Sequence, residues 1–410
     1  MMLSRVPIYV MSALLLLCSA SASLPVYEPA LLASGALPYV DVSSTHLPPS
    51  TRDTKCLNTT FLDIDSDGDL DVFVATEHSE NLLLVNDGTG RLTDVSDDRL
   101  PRASRDSEDA AAFDADGDGD LDLIVVSEDD QINEYYLNNG DGTFSDHPAG
   151  LPVGGISNAI AFGDVDDDQD PDIVIGNDGQ NYLLLNQGTG VFVDNTLAAL
   201  PAIHDETQDL ELGDVDGDGD LDLVVGNEDD NRLLLNDGLG RFTAAPPDAM
   251  PLIGPEETRD VDLADIDGDG DLDIFFGNVH LTKGAPAQNR LLINDGTGAF
   301  SDETDRRLPS DIDTTMDGDF IDVDGDGDLD LATANYGDEE RGRELTPYRI
   351  FLNSNGVFAE RTRDIFPAEA TGHGFDLEAG DLNQDSVLDF YLCSGRSLDR
   401  LLLSAPAALR

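Results

Sequence analysis

Positive charge is scarce in this sequence: 22 Lys and Arg stand against 85 Asp and Glu in 410 residues, a formal net charge of -63. Nucleic acid and anionic membrane surfaces carry the same sign, so repulsion excludes both as partners. Beyond the first residues there is no long apolar run, hence no further candidate transmembrane segment. Helical periodicity is nowhere sustained. His46, His78, His147, His204, His280 and His373 share no zinc-ligand spacing. Gly-x-Ser-x-Gly, Walker-type and Cys-His nucleophile patterns are missing as well. Paired carboxylates for glycoside chemistry cannot be singled out in so acidic a chain.

Cysteine is almost as scarce, with three in the chain. The first lies in a segment that reads as an export signal: Arg5 supplies the positive end, Val6 to Leu17 the short apolar core and Ala20-Ser21-Ala22 the cleavage site. Residues 1–22 are expected to be removed and 23–410 secreted, in an extracellular, periplasmic or cell-surface setting. A lipoprotein anchored through Cys18 is the alternative, disfavoured by the bulk of Leu17. Cys56 and Cys393 then remain, either as a disulfide favoured by an oxidising compartment or as two buried thiols.

What the chain does hold is one nonapeptide written seven times. Its first copy is Asp63-Ile64-Asp65-Ser66-Asp67-Gly68-Asp69-Leu70-Asp71, and the others begin at Asp114, Asp164, Asp214, Asp265, Asp322 and Asp381. Carboxylates at the first, third, fifth and ninth positions are hard oxygen ligands for Ca²⁺; the sixth-position Gly permits a tight turn, and the seventh residue adds a backbone carbonyl. The candidate metal residues are therefore Asp63, Asp65, Asp67, Asp69 and Asp71; Asp114, Asp116, Asp118, Asp120 and Asp122; Asp164, Asp166, Asp168, Asp170 and Asp172; and Asp214, Asp216, Asp218, Asp220 and Asp222. The later copies add Asp265, Asp267, Asp269, Asp271 and Asp273; Asp322, Asp324, Asp326, Asp328 and Asp330; and Asp381, Asn383, Asp385, Val387 and Asp389. In the third, Gln169 and Pro171 replace Gly and Leu; in the seventh, Ser386 stands in the Gly place. Five to seven calcium ions are expected, the seventh loop holding the weakest. An EF-hand is excluded because its twelfth-position Glu is replaced by Val74, Val125, Val225 and Phe276. Thrombospondin-like calcium repeats would need many more cysteines, and the RTX nonapeptide is absent.

The loops recur about every 50 residues, a period that suits four-stranded propeller blades. In the fourth copy, Leu210 to Gly213 reads as a strand, Leu221 to Gly226 as an apolar second strand, Leu233-Leu234-Leu235 as a third, and Arg241-Phe242-Thr243 as the start of a fourth. The N-terminal Tyr39-Val40-Asp41-Val42-Ser43 matches Leu92-Thr93-Asp94-Val95-Ser96, a fourth strand lacking its first three, while Leu401-Leu402-Leu403 is a third strand near the other end. Together they predict an all-β, seven-bladed β-propeller closed by the N-terminal strand, which leaves no sheet edge exposed. Cys56 and Cys393 would then meet at the seam, which favours the disulfide.

These loops, with segments such as Leu233 to Phe242, resemble the FG-GAP and VCBS repeat family, whose members include the integrin α-chain propeller heads. The resemblance implies Ca²⁺ in the turn between the first two strands of each blade and ligand recognition on the opposite face. Two further features bear on that face. First strands carry Asn58-x-Thr60, Asp109-x-Ala111, Asp209-x-Glu211, Asp260-x-Asp262, Asp317-x-Asp319 and Asp376-x-Glu378, and alternate residues share a face. They predict a ring of carboxylates around the channel, either a further cation or cationic-ligand site or a wet acidic wall with interblade hydrogen bonds. The turns at 278–288 and 335–347 are also lengthened. Arg102, Arg105, His204, His280, Lys283, Tyr336, Arg341, Arg343, Tyr348 and Arg396 are the ligand-binding candidates, since exposed loops on a rigid scaffold commonly carry function.

The sequence thus predicts a monomeric, secreted, calcium-binding adhesion or binding module for an extracellular glycan or protein. Two alternatives stay open: a polysaccharide lyase or other carbohydrate-active enzyme on the same scaffold, and a structural part of a surface complex.

Overall fold

The structure, a computed structural model, describes residues 38–52, 54–128, 131–251, 254, 256–279, 288–310, 314–336 and 347–405. Seven antiparallel four-strand units follow the seven acidic loops in order among these residues. The first consists of Cys56–Leu62, Asp71–Thr76, Leu82–Asn86 and Leu92–Asp94. First strands of the next five are Ser107–Phe113, Ser157–Gly163, Asp205–Gly213, Thr258–Ala264 and Thr315–Ile321. The seventh unit takes Gly374–Gly380, Asp389–Ser394 and Arg400–Ser404 from one end of the chain and Tyr39–Asp41 from the other. Units three and four are further joined where Asp178 and Gly179 pair with Glu206 and Asp205.

Second strands such as Asp71–Thr76, Asp222–Asn227 and Asp389–Ser394 are apolar and β-branched, and every residue in them is buried. A strand covered on both faces reads as a continuous apolar run rather than an alternating one. The cover comes from neighbours, because each apolar cluster is built by two adjacent units. Phe73 and Leu83 pack with Leu123 and Tyr136, Val224 and Leu233 with Ile274 and Phe276, and Val72 and Leu84 with Tyr391 and Leu401 of unit seven. First strands likewise pack against those of the units before and after, and Gly374–Gly380 packs against Cys56–Leu62.

The seam between the last and first units is the most heavily tied. Tyr39, Val40 and Asp41 pair with Ser404, Leu403 and Leu402, and Tyr39 meets the rings of Phe366 and Phe390 edge-on at 5.9 and 5.1 Å. Cys56 and Cys393 are joined by a disulfide, with Cα atoms 5.5 Å apart. Thr54 Oγ1 donates to Asp399 Oδ2 at 2.9 Å, and Tyr391 donates to the same oxygen at 2.9 Å.

One reading of the sequence needs correction and one feature lies beyond it. Five fourth strands lead into four-residue helical turns, Ser43–His46, Ser96–Arg99, Thr196–Ala199, Thr304–Arg307 and Thr362–Ile365, each too short for a helical period to appear. In the second of these, Asp94 Oδ1 accepts from Ser96 N at 3.0 Å, and Ser96 Oγ accepts from Leu83 N at 2.8 Å. Tyr348 is not on a ligand-facing loop. It opens the third strand of unit six, Tyr348–Asn353, is fully buried against unit seven, and donates its hydroxyl to Cys393 O at 2.6 Å.

The disulfide spans 337 residues, so it constrains the unfolded chain over nearly its whole length. Combining Cys56→Ala with Cys393→Ala is expected to cost roughly 2–5 kcal/mol, read as a lowered urea midpoint. An unchanged midpoint would mean that strand pairing alone secures the seam.

Candidate metal centres and the acidic inner ring

Each acidic loop is held from within by its own carboxylates. In the first, Asp63 accepts from Asp67 N at 3.1 Å and Gly68 N at 3.0 Å, and Asp67 accepts from Asp69 N at 3.0 Å. Asp71 accepts from Ile64 N at 3.2 Å and from Asn86 N, in the third strand, at 2.7 Å. Asn86 Nδ2 donates to Leu70 O and to Leu382 O of the preceding unit's loop, at 3.0 and 2.8 Å. Asn138, Asn186, Asn236, Asn294 and Asn353 make the equivalent links to Ile64, Ala115, Val165, Val215 and Ile266. The turn after this Asn needs its first glycine. Gly88 has φ +76°, and a Cβ there would lie 2.6 Å from Asp69 Oδ2.

This scaffold gathers first-, third- and ninth-position carboxylates. Ligand oxygens of Asp63, Asp65 and Asp71 lie within 4.8 Å of one another, as do those of Asp114, Asp116 and Asp122 and of Asp164, Asp166 and Asp172. Burial pushes the ninth-position Asp71, Asp122, Asp172, Asp222, Asp273, Asp330 and Asp389 up to about 7, and neighbouring carboxylates add to the rise. Arg99 and Arg307 each hold one oxygen of the third-position Asp65 and Asp267, at 3.2 and 2.9 Å. The other oxygen, Oδ1 of Asp65, Asp267 and also Asp166, is buried with no hydrogen-bond partner. A compact set of hard, anionic oxygens with a buried orphan among them fits a divalent cation such as Ca²⁺.

Loops three and seven depart as their sequences suggest. The sixth position is left-handed throughout, so Gln169 sits at φ +77° and Ser386 at φ +64° where Gly219 has +99°. In loop seven Asn383 Nδ2 donates to both oxygens of Asp389, at 3.0 and 2.9 Å, and Ser404 Oγ donates to Asp385 at 2.7 Å. Neutral donors there satisfy carboxylates that a cation would otherwise bind.

The first strands carry nine carboxylates on their inner side: Asp109, Asp209, Glu211, Asp260, Asp262, Asp317, Asp319, Asp376 and Glu378. Five of them tie one unit to the next. Asp109 accepts from Ile160 N at 2.9 Å, Asp209 from Val261 N at 2.6 Å, Asp262 from Phe320 N at 2.7 Å and Asp317 from Leu377 N at 2.9 Å. Asp376 accepts from the Thr59 hydroxyl across the seam. The two remaining junctions use neutral groups, Thr60 donating to Ala110 O at 3.1 Å and Asn158 to Thr207 O at 2.7 Å. Interunit hydrogen bonding, one of the two readings of the ring, therefore engages these five, and the Gly318 backbone of unit six bonds Asp260 as well.

At the end of these strands remote from the acidic loops lies a feature that sequence reasoning missed. Every first strand has a register shift, at its second residue in six units and at its fourth in unit four, leaving Leu57, Glu108, Asn158, Gln208, Arg259, Met316 and Phe375 half-buried there. A bulge re-aims a side chain. Arg259 donates to Gln208, to Glu228 at 2.7 Å and to Glu257 at 3.3 Å. Burial and the charges of Glu128, Asp106 and Glu77 raise Glu108 to about 8, while Arg259, three units away in sequence, pulls the other way. On the apolar side Tyr336 meets Phe375 edge-on at 5.2 Å and His373 at 5.9 Å, and Arg396 lies over the Tyr336 ring at 5.3 Å. Aligning the seven repeats would expose this position, the residue before the Asp column, as one occupied by seven different residue types.

Of the candidate ligand residues, Tyr336 and Arg396 are thus brought together. Arg105 is instead bound to Glu134 at 2.9 Å, and Arg102 to Asp97 at 2.5 Å; His204 is exposed beside Gly179. His280, Lys283, Arg341 and Arg343 lie outside the described residues.

Repeated four-strand units, acidic first turns and inward-packed first strands define a repeat-built β-propeller protein. The profile of the FG-GAP-like repeat matches residues 63–125, 114–175, 164–225, 214–276, 279–333 and 322–392, and the chain belongs to that family. No curated protein matches it. Among solved structures it is similar to virginiamycin B lyase from Staphylococcus aureus, at 11% identity over 90% of this chain and 99% of that one, TM-score 0.54. It is also similar to the extracellular domain of a hybrid two-component system from B. thetaiotaomicron, at 10% identity, 90% of this chain, 40% of that one and TM-score 0.53. At such identities the likeness shows the fold alone. No helix among the described residues is long and apolar enough to cross a membrane.

Two expectations follow. Gln169→Gly and Ser386→Gly relieve left-handed strain, and each should raise stability by roughly 1 kcal/mol in chemical denaturation; a loss instead would show that the side chains matter more than the backbone. The second concerns pH. Asp109 and Asp262 are raised by burial to about 6, Asp317 to about 7 and Glu378 to about 8. Folded carboxyls then bind protons that the unfolded chain has released, so stability falls as pH rises from about 4 to about 8. Metal-free protein should show a higher urea midpoint at about pH 5.5 than at about pH 8, and the reverse order would contradict the burial of this ring.

Proposed function

We propose that the chain is a secreted, calcium-stabilised, seven-bladed β-propeller of residues 23–410, closed by its N-terminal strand, which binds an extracellular glycan or protein on the face opposite its calcium turns. The cyclic packing of the first strands and the pairing of Tyr39–Asp41 with Arg400–Ser404 support closure. Asp residues at the first, third, fifth and ninth loop positions would hold Ca²⁺, with the seventh-position carbonyl. The ion supplies charge neutralisation and order, and the chain's own Asp and Asn residues tie each ordered loop to the third strand and to the preceding unit. Adhesion requires no contact between calcium and ligand.

The observation that carries the binding role is the contrast between the two faces. Loops and Asn links repeat with little change, whereas the bulged residues differ in every unit. Leu57, Met316 and Phe375, with Tyr336, form an apolar, aromatic side, and Glu108, Asn158, Gln208 and Arg259 a polar one. Aromatic faces paired with hydrogen-bonding groups suit a sugar ring or a peptide side chain of mixed polarity. A second reading, catalysis on a polysaccharide, draws support from the convergence of Tyr336, His373 and Arg396.

Calorimetric titration of metal-free protein should find five to seven calcium ions, and Asp214→Asn with Asp218→Asn should lower the melting temperature in calcium. Equal melting with and without chelator would refute the scaffolding role. A glycan array and a pull-down with the calcium-loaded protein should yield a ligand whose affinity drops about tenfold or more in Phe375→Ala and Tyr336→Ala, with melting unchanged. Unchanged affinity would place recognition elsewhere, and turnover of a uronic-acid polymer lost in Tyr336→Phe would favour the enzyme.

A further inference from the structure

The acidic loops share a backbone, but what lies behind their third-position Asp differs from unit to unit. Over loops one to five, the second glycine of the next unit's turn covers that Asp, and the atoms a Cβ would meet there show what fills the space. At Gly142, over loop one, they are Arg99 Nη1 at 2.6 Å and Asp65 Cβ at 3.1 Å. At Gly356, over loop five, they are Arg307 Nη1 and, at 2.8 Å, Asp267 Cβ. Over loop two the Tyr135 hydroxyl takes the arginine's place, 2.5 Å from a Cβ at Gly190. Gly240 and Gly298, over loops three and four, meet Asp166 Cβ and Asp216 Cβ first, at 3.3 and 3.0 Å, and no donor group stands beside them.

The two arginines belong to one column of the repeat, two residues before a proline, as in Arg99-Leu100-Pro101 and Arg307-Leu308-Pro309. The other units place His46, Gly150, Ala199, Ala249 and Ile365 there. Arg99 Nη1 holds Asp65 Oδ2 at 3.2 Å. Arg307 Nη2 holds Asp267 Oδ2 at 2.9 Å, while its Nη1 donates to Gly356 O at 3.1 Å and its Nε to Glu303 at 2.5 Å. In both loops the other oxygen of the Asp, Oδ1, is buried with no hydrogen-bond partner. Asp166 has the same orphan Oδ1 with no arginine beside it, so the arginines are not needed to aim that oxygen. Their distinct contribution is charge. A fixed cation bonded to a ligand carboxylate relieves the repulsion within an empty loop, and it opposes the entry of a divalent ion.

We propose that Arg99 and Arg307 are resident counter-cations that divide the loops into two classes. Loops one and five keep their shape without calcium and bind it weakly, whereas loop four, with Asp214, Asp216, Asp218, Asp220 and Asp222 and no basic neighbour, orders only with calcium and binds it tightly. The inference rests on the reading of the loops as calcium sites. It makes loop one, beside the closing seam, a turn that is held before calcium arrives.

Hydrogen–deuterium exchange of the full chain across a calcium titration, read on peptides spanning 63–71, 214–222 and 265–273, reports each loop separately. In chelator, 63–71 and 265–273 should exchange more slowly than 214–222, and they should need about tenfold more calcium for full protection. Arg99→Met keeps an apolar stem under Gly142 and should remove the metal-free protection of 63–71 while lowering its calcium requirement about tenfold. Peptides 214–222 and 265–273 should not change. Arg99 is the residue to vary because Arg307 also ties Glu303 and Gly356. If Arg99→Met loses protection at every loop, Arg99→Gln, which keeps a donor without the charge, should still lower the requirement at 63–71. Unaltered exchange at 63–71 in these variants would overturn the proposal, and so would a higher calcium requirement there, which would make the arginine an orienting partner of Asp65. Loops that no calcium concentration protects would sink the calcium reading and this inference with it, an outcome distinct from calcium-protected loops that ignore the arginine.

Discussion

Apart from the start of Asp205–Gly213, the innermost strand of each unit pairs on one side only, and its other edge must find partners for its backbone N–H groups. A buried N–H left unmet costs about 1–3 kcal/mol, and an exposed edge invites pairing with another chain. The structure answers with side chains of the preceding unit. Asp109, Asp209, Asp262 and Asp317 each reach across one junction to Ile160, Val261, Phe320 and Leu377. One bond thus satisfies the edge and sets the position of the next unit. Charge is the cost of the device, because each junction secured this way brings another carboxylate towards its neighbours.

A second tier of ties lies at the acidic loops. Here Asn86 and its counterparts bind their own loop and the carbonyl of the loop before, so main-chain order in one unit depends on the unit preceding it. Unit seven breaks the series, with Ser404 in the Asn position and Asn383 donating to Asp389 inside the loop. Its missing tie falls at the junction with unit six, where Tyr348 donates to Cys393 O, while the closing seam keeps the Asn86–Leu382 bond and adds the disulfide. The seam where the chain closes on itself is reinforced by a disulfide, and the Thr54–Asp399 bond there has counterparts such as Asn81–Ser107 and Asn289–Thr315 at other junctions.

Much of this was legible in the sequence, for a physical reason. Turns closed by their own carboxylates need fixed spacing, and doubly buried strands need unbroken apolar runs, so Asp63 to Asp71 and the segments after it carry their structure in one dimension. The join of Tyr39–Asp41 to the last unit followed from the same repetition. Features set by three-dimensional neighbours were not legible. Tyr348 follows a long insertion and reads as a loop residue, yet its ring fills the junction between units six and seven. The bulges leave no periodic trace, since one extra residue in a short strand only shifts the register. The helical turns are governed by single contacts, such as Ser96 with Asp94 and Leu83, rather than by a pattern.

The two ends of each first strand consequently answer to different constraints. At the loop end, changing a residue disturbs its own turn, the third strand and the preceding unit, which leaves little freedom to vary. At the bulged end the side chain is released from the ladder while its backbone stays anchored by fully buried neighbours such as Ser107, Thr207, Thr258 and Thr315. A side chain so placed can change without unfolding the strand that carries it. It also loses less freedom on meeting a ligand than a residue on a long loop would, because its backbone is already ordered. Seven different residues on seven such mounts suit the recognition role proposed above, with a chemistry adjustable one unit at a time, and the acidic loops and interunit bonds keep those mounts in register.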